Sequence, residues 1–211
     1  MNYQNIVYSV VTFTLFIGLA MTYSTAGMAV AEENGLLENI QLVMLVAALV
    51  SAVFITKQAS NKSLRYIGVG FILLTIGFFV REFDVRGTDA PSWLIWIGSP
   101  NGSLIITLAM FIPYIIYSVI NLRFAWSAAM QLLNTYHFAR LMLVLFFLML
   151  GGAYDREWIQ SVHGMFYEEF YETIAWWFYA WSLFKLTPAQ MQRDNAFYAR
   201  PPSHAKLDVR D

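Results

Sequence analysis

Long apolar runs are the feature that most constrains the fold of this chain. Five mostly apolar segments lie at about 6–24, 36–56, 66–82, 103–122 and 170–186, and a sixth, 138–154, has a shorter apolar run behind Arg140. A membrane-spanning helix needs roughly 20 such residues. Of the 211 residues, 58% are hydrophobic and only 13% are charged, a composition foreign to soluble domains. The sequence predicts an all-α bundle of six transmembrane helices, residues 1–186.

Polar and helix-breaking sequence separates these runs. The segments EENG, KQASNKS, VRGTDAPS, SPNG and GGAYDRE lie between successive apolar stretches. The segment WLIWIG (93–98) is too short to span, and its tryptophans suit the headgroup layer, so it is predicted to be interfacial. The polar, proline-containing tail at 187–211 is predicted to be disordered and cytoplasmic.

The basic residues orient the predicted spans. Ten of the thirteen fall on one side, against three on the other, Arg81, Arg86 and Arg156. The positive-inside rule then places both termini in the cytoplasm. We expect an integral protein of a bacterial inner (plasma) membrane.

The first span has a second interpretation. Residues 29–31 read Ala-Val-Ala after an apolar run, which resembles the cleavage site of a secretory signal. Cleavage would leave five spans with the same orientation.

Composition excludes several kinds of chemistry. The chain has no cysteine, so disulfides and thiolate sites are absent. A net charge of −1 and the lack of a basic motif predict no nucleic-acid partner. Under the predicted topology the three histidines, His137, His163 and His204, cannot share one metal centre.

Acidic residues concentrate on the side opposite the basic ones. Eleven of the fourteen lie there, although acidic residues contribute little to topology. They are Glu32, Glu33, Glu38, Glu82, Asp84, Asp89, Asp155, Glu157, Glu168, Glu169 and Glu172. The sequence predicts an outward-facing carboxylate cluster built from four separate loops or helix ends.

The segment HGMFYEEFYETIAWWFYAWSLF (163–184) carries the densest part of this cluster. Residues four apart share a helix face, so Glu168 and Glu172 are stacked, and Trp176 and Tyr179 continue the stripe inward. His163 can meet the glutamates only if the helix begins after it, which Gly164 favours.

Crowded carboxylates in a low dielectric need a shared proton, a cation or an arginine. The candidate catalytic residues are Glu168, Glu172 and His163. The predicted cation ligands are Glu38, Glu82, Glu168 and Glu172, and oxygen ligands favour Mg, Ca or Mn as the cofactor. The predicted ion-pair partners are Arg81, Arg86 and Arg140.

The depth of Arg140 depends on where its helix begins. A helix starting near Ser127 would carry Arg140 roughly 20 Å along its axis, where Glu38 or Glu172 could pair with it. A helix starting near Phe138 would leave Arg140 at the cytoplasmic headgroups, which we favour.

Two segments of the chain resemble parts of intramembrane hydrolase families. The segment AEENGLLEN resembles the acidic segment of ceramidase-like hydrolases, but those need several histidines around a zinc. Ser103 and His163 both lie outward, an arrangement similar to rhomboid-like serine proteases, yet GSPNGSL lacks the Gly-x-Ser-Gly pattern. Ser103 is more simply predicted to be a helix N-cap.

Three functional classes remain open, and whether the protein is an enzyme is undecided. The first is a protein whose carboxylate cluster binds a cation, a metal or a lipid headgroup, with membrane lipid or a cationic, lipid-like ligand as partner. The second is a proton- or cation-coupled transporter or channel subunit, for which so short a chain would form a homo-oligomer. The third is a non-catalytic accessory protein with a structural salt-bridge network.

Overall fold

The computed structural model describes residues 35–83, 89–133 and 135–186. These residues form seven helices and no strand. In chain order the helices are α1 (Leu36–Gln58), α2 (Lys62–Glu82), α3 (Ser92–Ile97), α4 (Pro100–Ile120), α5 (Leu122–Leu133), α6 (Tyr136–Asp155) and α7 (Gly164–Lys185). The predicted span 6–24, the predicted signal cleavage site and the tail 187–211 lie outside the described residues.

Four of these helices, α1, α2, α4 and α6, are long and apolar enough to cross a membrane. They coincide with the predicted spans 36–56, 66–82, 103–122 and 138–154, although α2 begins four residues earlier, at Lys62. The helix α7 covers residues 170–185 of the predicted span 170–186 but does not meet the same criterion, since its first turns carry three glutamates. The described part of the chain is therefore all-helical and has four apolar, membrane-length helices, and six spans remain a prediction.

Local signals explain several helix starts. The Asn61 side chain accepts a hydrogen bond of 2.8 Å from the Leu64 backbone N–H and caps α2. At α4 the cap is Ser99, whose hydroxyl accepts from the Gly102 N–H at 3.1 Å. The prediction that Ser103 is this N-cap is wrong, because Pro100 at the first helical position starts the helix three residues earlier.

The core lies between α1, α2, α6 and α7. Trp176 and Tyr179 of α7 are fully buried, which confirms that their stripe faces the bundle. The rings of Trp176 and Phe78 lie 4.5 Å apart, and the Tyr179 hydroxyl lies 2.9 Å from the Thr75 hydroxyl. These contacts join α7 to α2.

Glycine allows α1 and α2 to approach closely. A Cβ on Gly68 would collide with the Thr56 hydroxyl and lie 3.1 Å from the Thr56 Cα. Because the neighbour is partly backbone, the contact leaves no room for a larger residue. This close packing is the usual role of small residues between membrane helices.

The short segment at 93–98 forms α3, whose two tryptophans are exposed. At the end of α3 the Gly98 N–H donates a hydrogen bond of 3.1 Å to the Leu94 carbonyl, and α4 begins two residues later. The Trp96 carbonyl lies so close to Gly102 that a Cβ there would overlap it. The helix α3 therefore packs directly on the start of α4, although its interfacial position remains a prediction.

The helix α5 was not predicted, and it settles where the following helix begins. Residues 122–133 form their own helix, and α6 starts at Tyr136 after Thr135. A continuous helix from Ser127 through Arg140 is therefore wrong. Arg140 lies in the second turn of α6, and its guanidinium stacks on the Trp181 ring at 4.5 Å.

Candidate functional site

Four helix ends meet at one end of the bundle. The helices α1 and α7 begin there, and α2 and α6 end there, so each contributes its terminal turns to one cavity of about 800 Å³. The polar residues that line it are Glu38, Arg81, Glu82, Asp155, Arg156, Glu168, Glu169 and Glu172. Antiparallel packing of helices distant in sequence thus brings six carboxyl groups together.

Arg81 is the cation most closely engaged with these acids. Its Nη2 donates a hydrogen bond of 2.5 Å to Glu172 Oε1, and its Nε lies 3.0 Å from Glu82 Oε1. Of the Arg81 side chain, 53% is exposed, whereas Glu172 and Glu82 retain only 6% and 10%. Arg81 therefore closes one wall of the cavity, and about half of its side chain remains exposed.

The cavity carries more acid than base. Among the described lining residues, six carboxyl groups face two guanidinium groups, those of Arg81 and Arg156. Arg156 also lies 5.6 Å from the Trp158 ring, which lines the same cavity. If all six carboxyl groups were ionised, the described lining would carry a net charge of about −4, which favours proton or cation uptake.

Gln41 extends the polar cluster into the core. Its side chain is fully buried, and its Nε2 donates to Glu169 Oε2 at 2.7 Å and to the Glu169 carbonyl at 3.2 Å. The same nitrogen lies 3.3 Å from the Thr173 hydroxyl. In the described part of the chain, Gln41 Oε1 accepts no hydrogen bond. Gln41 thus fixes α7 against α1 and orients the Glu169 carboxyl group.

Two of the glutamates precede the predicted span 170–186, and their surroundings favour the neutral form. Burial, followed by the charges of Glu172 and Glu168, raises the pKa of Glu169 to about 8. Burial, followed by the charge of Asp155, raises the pKa of Glu168 to about 7. These carboxyl groups can therefore take up or release a proton near neutral pH.

The structure brings together the four predicted cation ligands, Glu38, Glu82, Glu168 and Glu172, with the predicted ion-pair partner Arg81. They converge on one cavity because α1 and α7 begin, and α2 ends, at the same end of the bundle. In the described residues, however, no three histidine, aspartate or glutamate side chains lie close enough together to hold one metal ion.

Two other predicted site residues lie away from this cavity, and a third cannot be placed relative to it. His163 directly precedes α7, as expected from Gly164, but its side chain is exposed and does not line the cavity. Arg140 lies eleven residues before Gly151 on α6, roughly 16 Å along the helix axis. The pairing with Glu38 or Glu172 that a helix starting near Ser127 would allow is therefore not formed. Arg86 lies outside the described residues.

Two residues that contribute to this site were not predicted from the sequence. Gln41 follows Glu38 by three residues on the same helix face, a signal that was available. Gly151 of α6 lies against α7, where a Cβ would lie 2.9 Å from Glu172 Cγ and 3.3 Å from the Glu168 carbonyl oxygen. Nothing in the sequence indicates this pairing of helices.

Comparison with known proteins gives no match to a protein family model, a curated protein or a solved structure.

Proposed function

We propose that this protein is a membrane protein whose carboxylate cavity binds a positively charged group at one surface of the bilayer. The observation that carries the proposal is the lining of the cavity, with six carboxyl groups and two guanidinium groups around about 800 Å³. This volume lies within the range of about 300–1,000 Å³ that small-molecule sites occupy.

An organic ammonium group fits this lining better than a bare metal ion. Ca²⁺ takes six to eight oxygen ligands and Mg²⁺ takes six, some of them waters, and no three ligating side chains in the described ranges converge on one point. An ammonium group donates several hydrogen bonds in different directions, so it can use carboxyl groups that are spread around a wide cavity. Mg, Ca and Mn are the competing ligands in the test.

The cavity is expected to face away from the cytoplasm. The positive-inside rule supports this orientation, because the basic residues concentrate at the opposite helix ends. A reporter domain fused after Asp211 should be active only in the cytoplasm. Activity of that reporter on the outer side would overturn the orientation.

Coupled proton transfer is a second candidate, favoured by the raised pKa values of Glu168 and Glu169. A transporter or channel subunit would carry protons or cations through these groups. A structural network is the third, favoured by the Arg81–Glu172 ion pair. Both candidates assign different roles to the same residues. A measurement of ligand binding distinguishes the proposed function from them.

The test uses the full-length protein purified in detergent. Ethylammonium, tetramethylammonium, MgCl₂, CaCl₂ and MnCl₂ are titrated at constant ionic strength, with NaCl as the reference, and thermal unfolding is followed. Ethylammonium should raise the unfolding temperature more than NaCl, and Glu169→Gln should abolish the shift. The control Glu157→Gln, in an exposed loop, should retain it. Equal effects of all salts in every variant would overturn the proposal.

A further inference from the structure

An apolar groove adjoins the carboxylate cavity. It has a volume of about 560 Å³ and runs between α2 and α4. Its apolar wall includes Leu74, Phe78, Leu104 and Phe111. Arg81 lines both this groove and the carboxylate cavity, and no other described residue is common to the two linings.

The groove runs along the helices rather than around the bundle. Pro100 lies at the end of the groove nearest the carboxyl groups. Phe111 follows it by eleven residues of α4, which is roughly 16 Å at 1.5 Å per residue. Arg81 and Pro100 lie at the bundle end that holds the carboxyl groups, and Leu74 and Phe111 lie toward the middle. A chain lying in this groove would therefore run inward from the charged end, as an acyl chain does in a bilayer.

We propose that the groove and the cavity together bind one phospholipid whose headgroup carries a primary amine. The acyl chain occupies the groove, the phosphate lies at Arg81, and the ammonium group enters the carboxylate cavity. This inference rests on the proposed function and names its ligand class.

Charge complementarity selects this lipid. The Arg81 side chain is about half exposed, and a guanidinium group has five N–H donors, so it can also donate to a phosphate. The carboxyl groups beyond it match an ammonium group. A lipid with an anionic headgroup and no amine would place only negative charge beside six carboxyl groups. A quaternary ammonium group lacks N–H donors, and it is usually recognised by aromatic cages.

The experiment measures lipid retention by native mass spectrometry of the full-length protein released from mixed micelles. Ethanolamine, choline and glycerol phospholipids with identical acyl chains are supplied in equal amounts. The ethanolamine lipid should be retained at least threefold more than either of the others. Equal retention of all three would overturn the inference.

Two leucines of α4 provide a matched pair of variants. Leu104 lines the groove, whereas Leu108, one turn later and similarly exposed, does not. Leu104→Trp should fill the groove and lower retention of the ethanolamine lipid at least threefold, and Leu108→Trp should leave it unchanged. Loss of self-association in Leu104→Trp, with lipid retention unchanged, would assign the groove to a second copy of the chain and overturn the inference.

The soluble probe separates this inference from the function on which it rests. Leu104→Trp should keep the thermal shift produced by ethylammonium, because the carboxylate cavity is intact. If the unmodified protein shows the ethylammonium shift but retains all three lipids equally, the lipid inference is rejected and the proposed function stands. If the unmodified protein shows neither the ethylammonium shift nor lipid selectivity, the proposed function is rejected as well.

Discussion

Gly151 of α6 lies directly against Glu172 of α7, so close that a Cβ at this position would be 2.9 Å from Glu172 Cγ. The same Cβ would lie 3.3 Å from the Glu168 backbone oxygen. The absent side chain therefore sets how closely the two helices approach. It also determines where Glu172 meets Arg81.

We predict that Gly151→Ala destabilises the protein and displaces the Arg81–Glu172 ion pair. Overpacking of a tight contact costs about 1–3 kcal/mol, and the rigid backbone oxygen of Glu168 limits relaxation. Denaturant unfolding in detergent measures the cost, and the ethylammonium shift reports on the cavity. The control for the unfolding measurement is Gly152→Ala, where a Cβ would meet nothing within 4 Å; it should be neutral or stabilising by up to about 1 kcal/mol. Equal effects of both substitutions would contradict the prediction.

We predict that Glu172→Gln impairs both stability and ammonium binding more than Glu157→Gln. Glu172 is buried and accepts a hydrogen bond from Arg81, so its neutralisation leaves that guanidinium beside one carboxyl group fewer. Because half of the Arg81 side chain is exposed, the expected cost is about 1 kcal/mol. Glu157 lies in an exposed loop after α6. Matching unfolding curves and matching ethylammonium shifts for the two variants would argue against a site at Glu172.

The sequence predicted the parts of this site that depend on helical spacing and on topology. Glu168 and Glu172 are four residues apart, and Trp176 and Tyr179 continue inward from them, so their common face follows from the period of the helix. Apolar spans of similar length brought Glu38 and Glu82 to the same end. These relationships need no knowledge of which helices touch.

Relationships between helices could not be predicted in the same way. The contact of Gly151 with Glu172 depends on the rotation of α6 against α7, which no sequence spacing records. Gln41 was overlooked because one amide in a long apolar run has no defined partner until α7 is placed. Two starts remained open for the helix that carries Arg140, because the sequence did not show that residues 122–133 form a separate helix, α5.

We predict that Gly68→Ala destabilises the packing of α1 against α2. The added methyl group would overlap the Thr56 hydroxyl and crowd its Cα, so the two helices must separate. The expected cost is about 1–3 kcal/mol, measured by unfolding in detergent. Gly77→Ala is the matched control on the same helix, since its Cβ would meet Phe111 and Thr107 atoms at an ordinary 3.5 Å. A Gly68→Ala protein as stable as the Gly77→Ala protein would show that α1 and α2 do not pack this closely.

We predict that the stability of the protein falls as the pH rises from about 5 to about 8. Burial raises the pKa of Glu168 to about 7 and that of Glu169 to about 8, above the ordinary value of 4.5. The folded protein therefore holds more protons than the unfolded chain across this range, and linkage requires stability to decrease as pH increases. The stabilisation is fully present below pH 4.5 and is lost as the pH passes the folded-state pKa values.

The Glu168→Gln/Glu169→Gln double variant should flatten this dependence, because neither position can then lose a proton. Thermal unfolding at intervals between pH 5 and pH 8, at constant ionic strength, measures the slope. Glu157→Gln serves as the control and should keep the slope of the unmodified protein. Ethylammonium should reduce the slope of the unmodified protein, since a bound cation stabilises the ionised carboxyl groups that high pH creates. A slope unchanged in the double variant would mean that these two carboxyl groups do not hold protons in the folded protein.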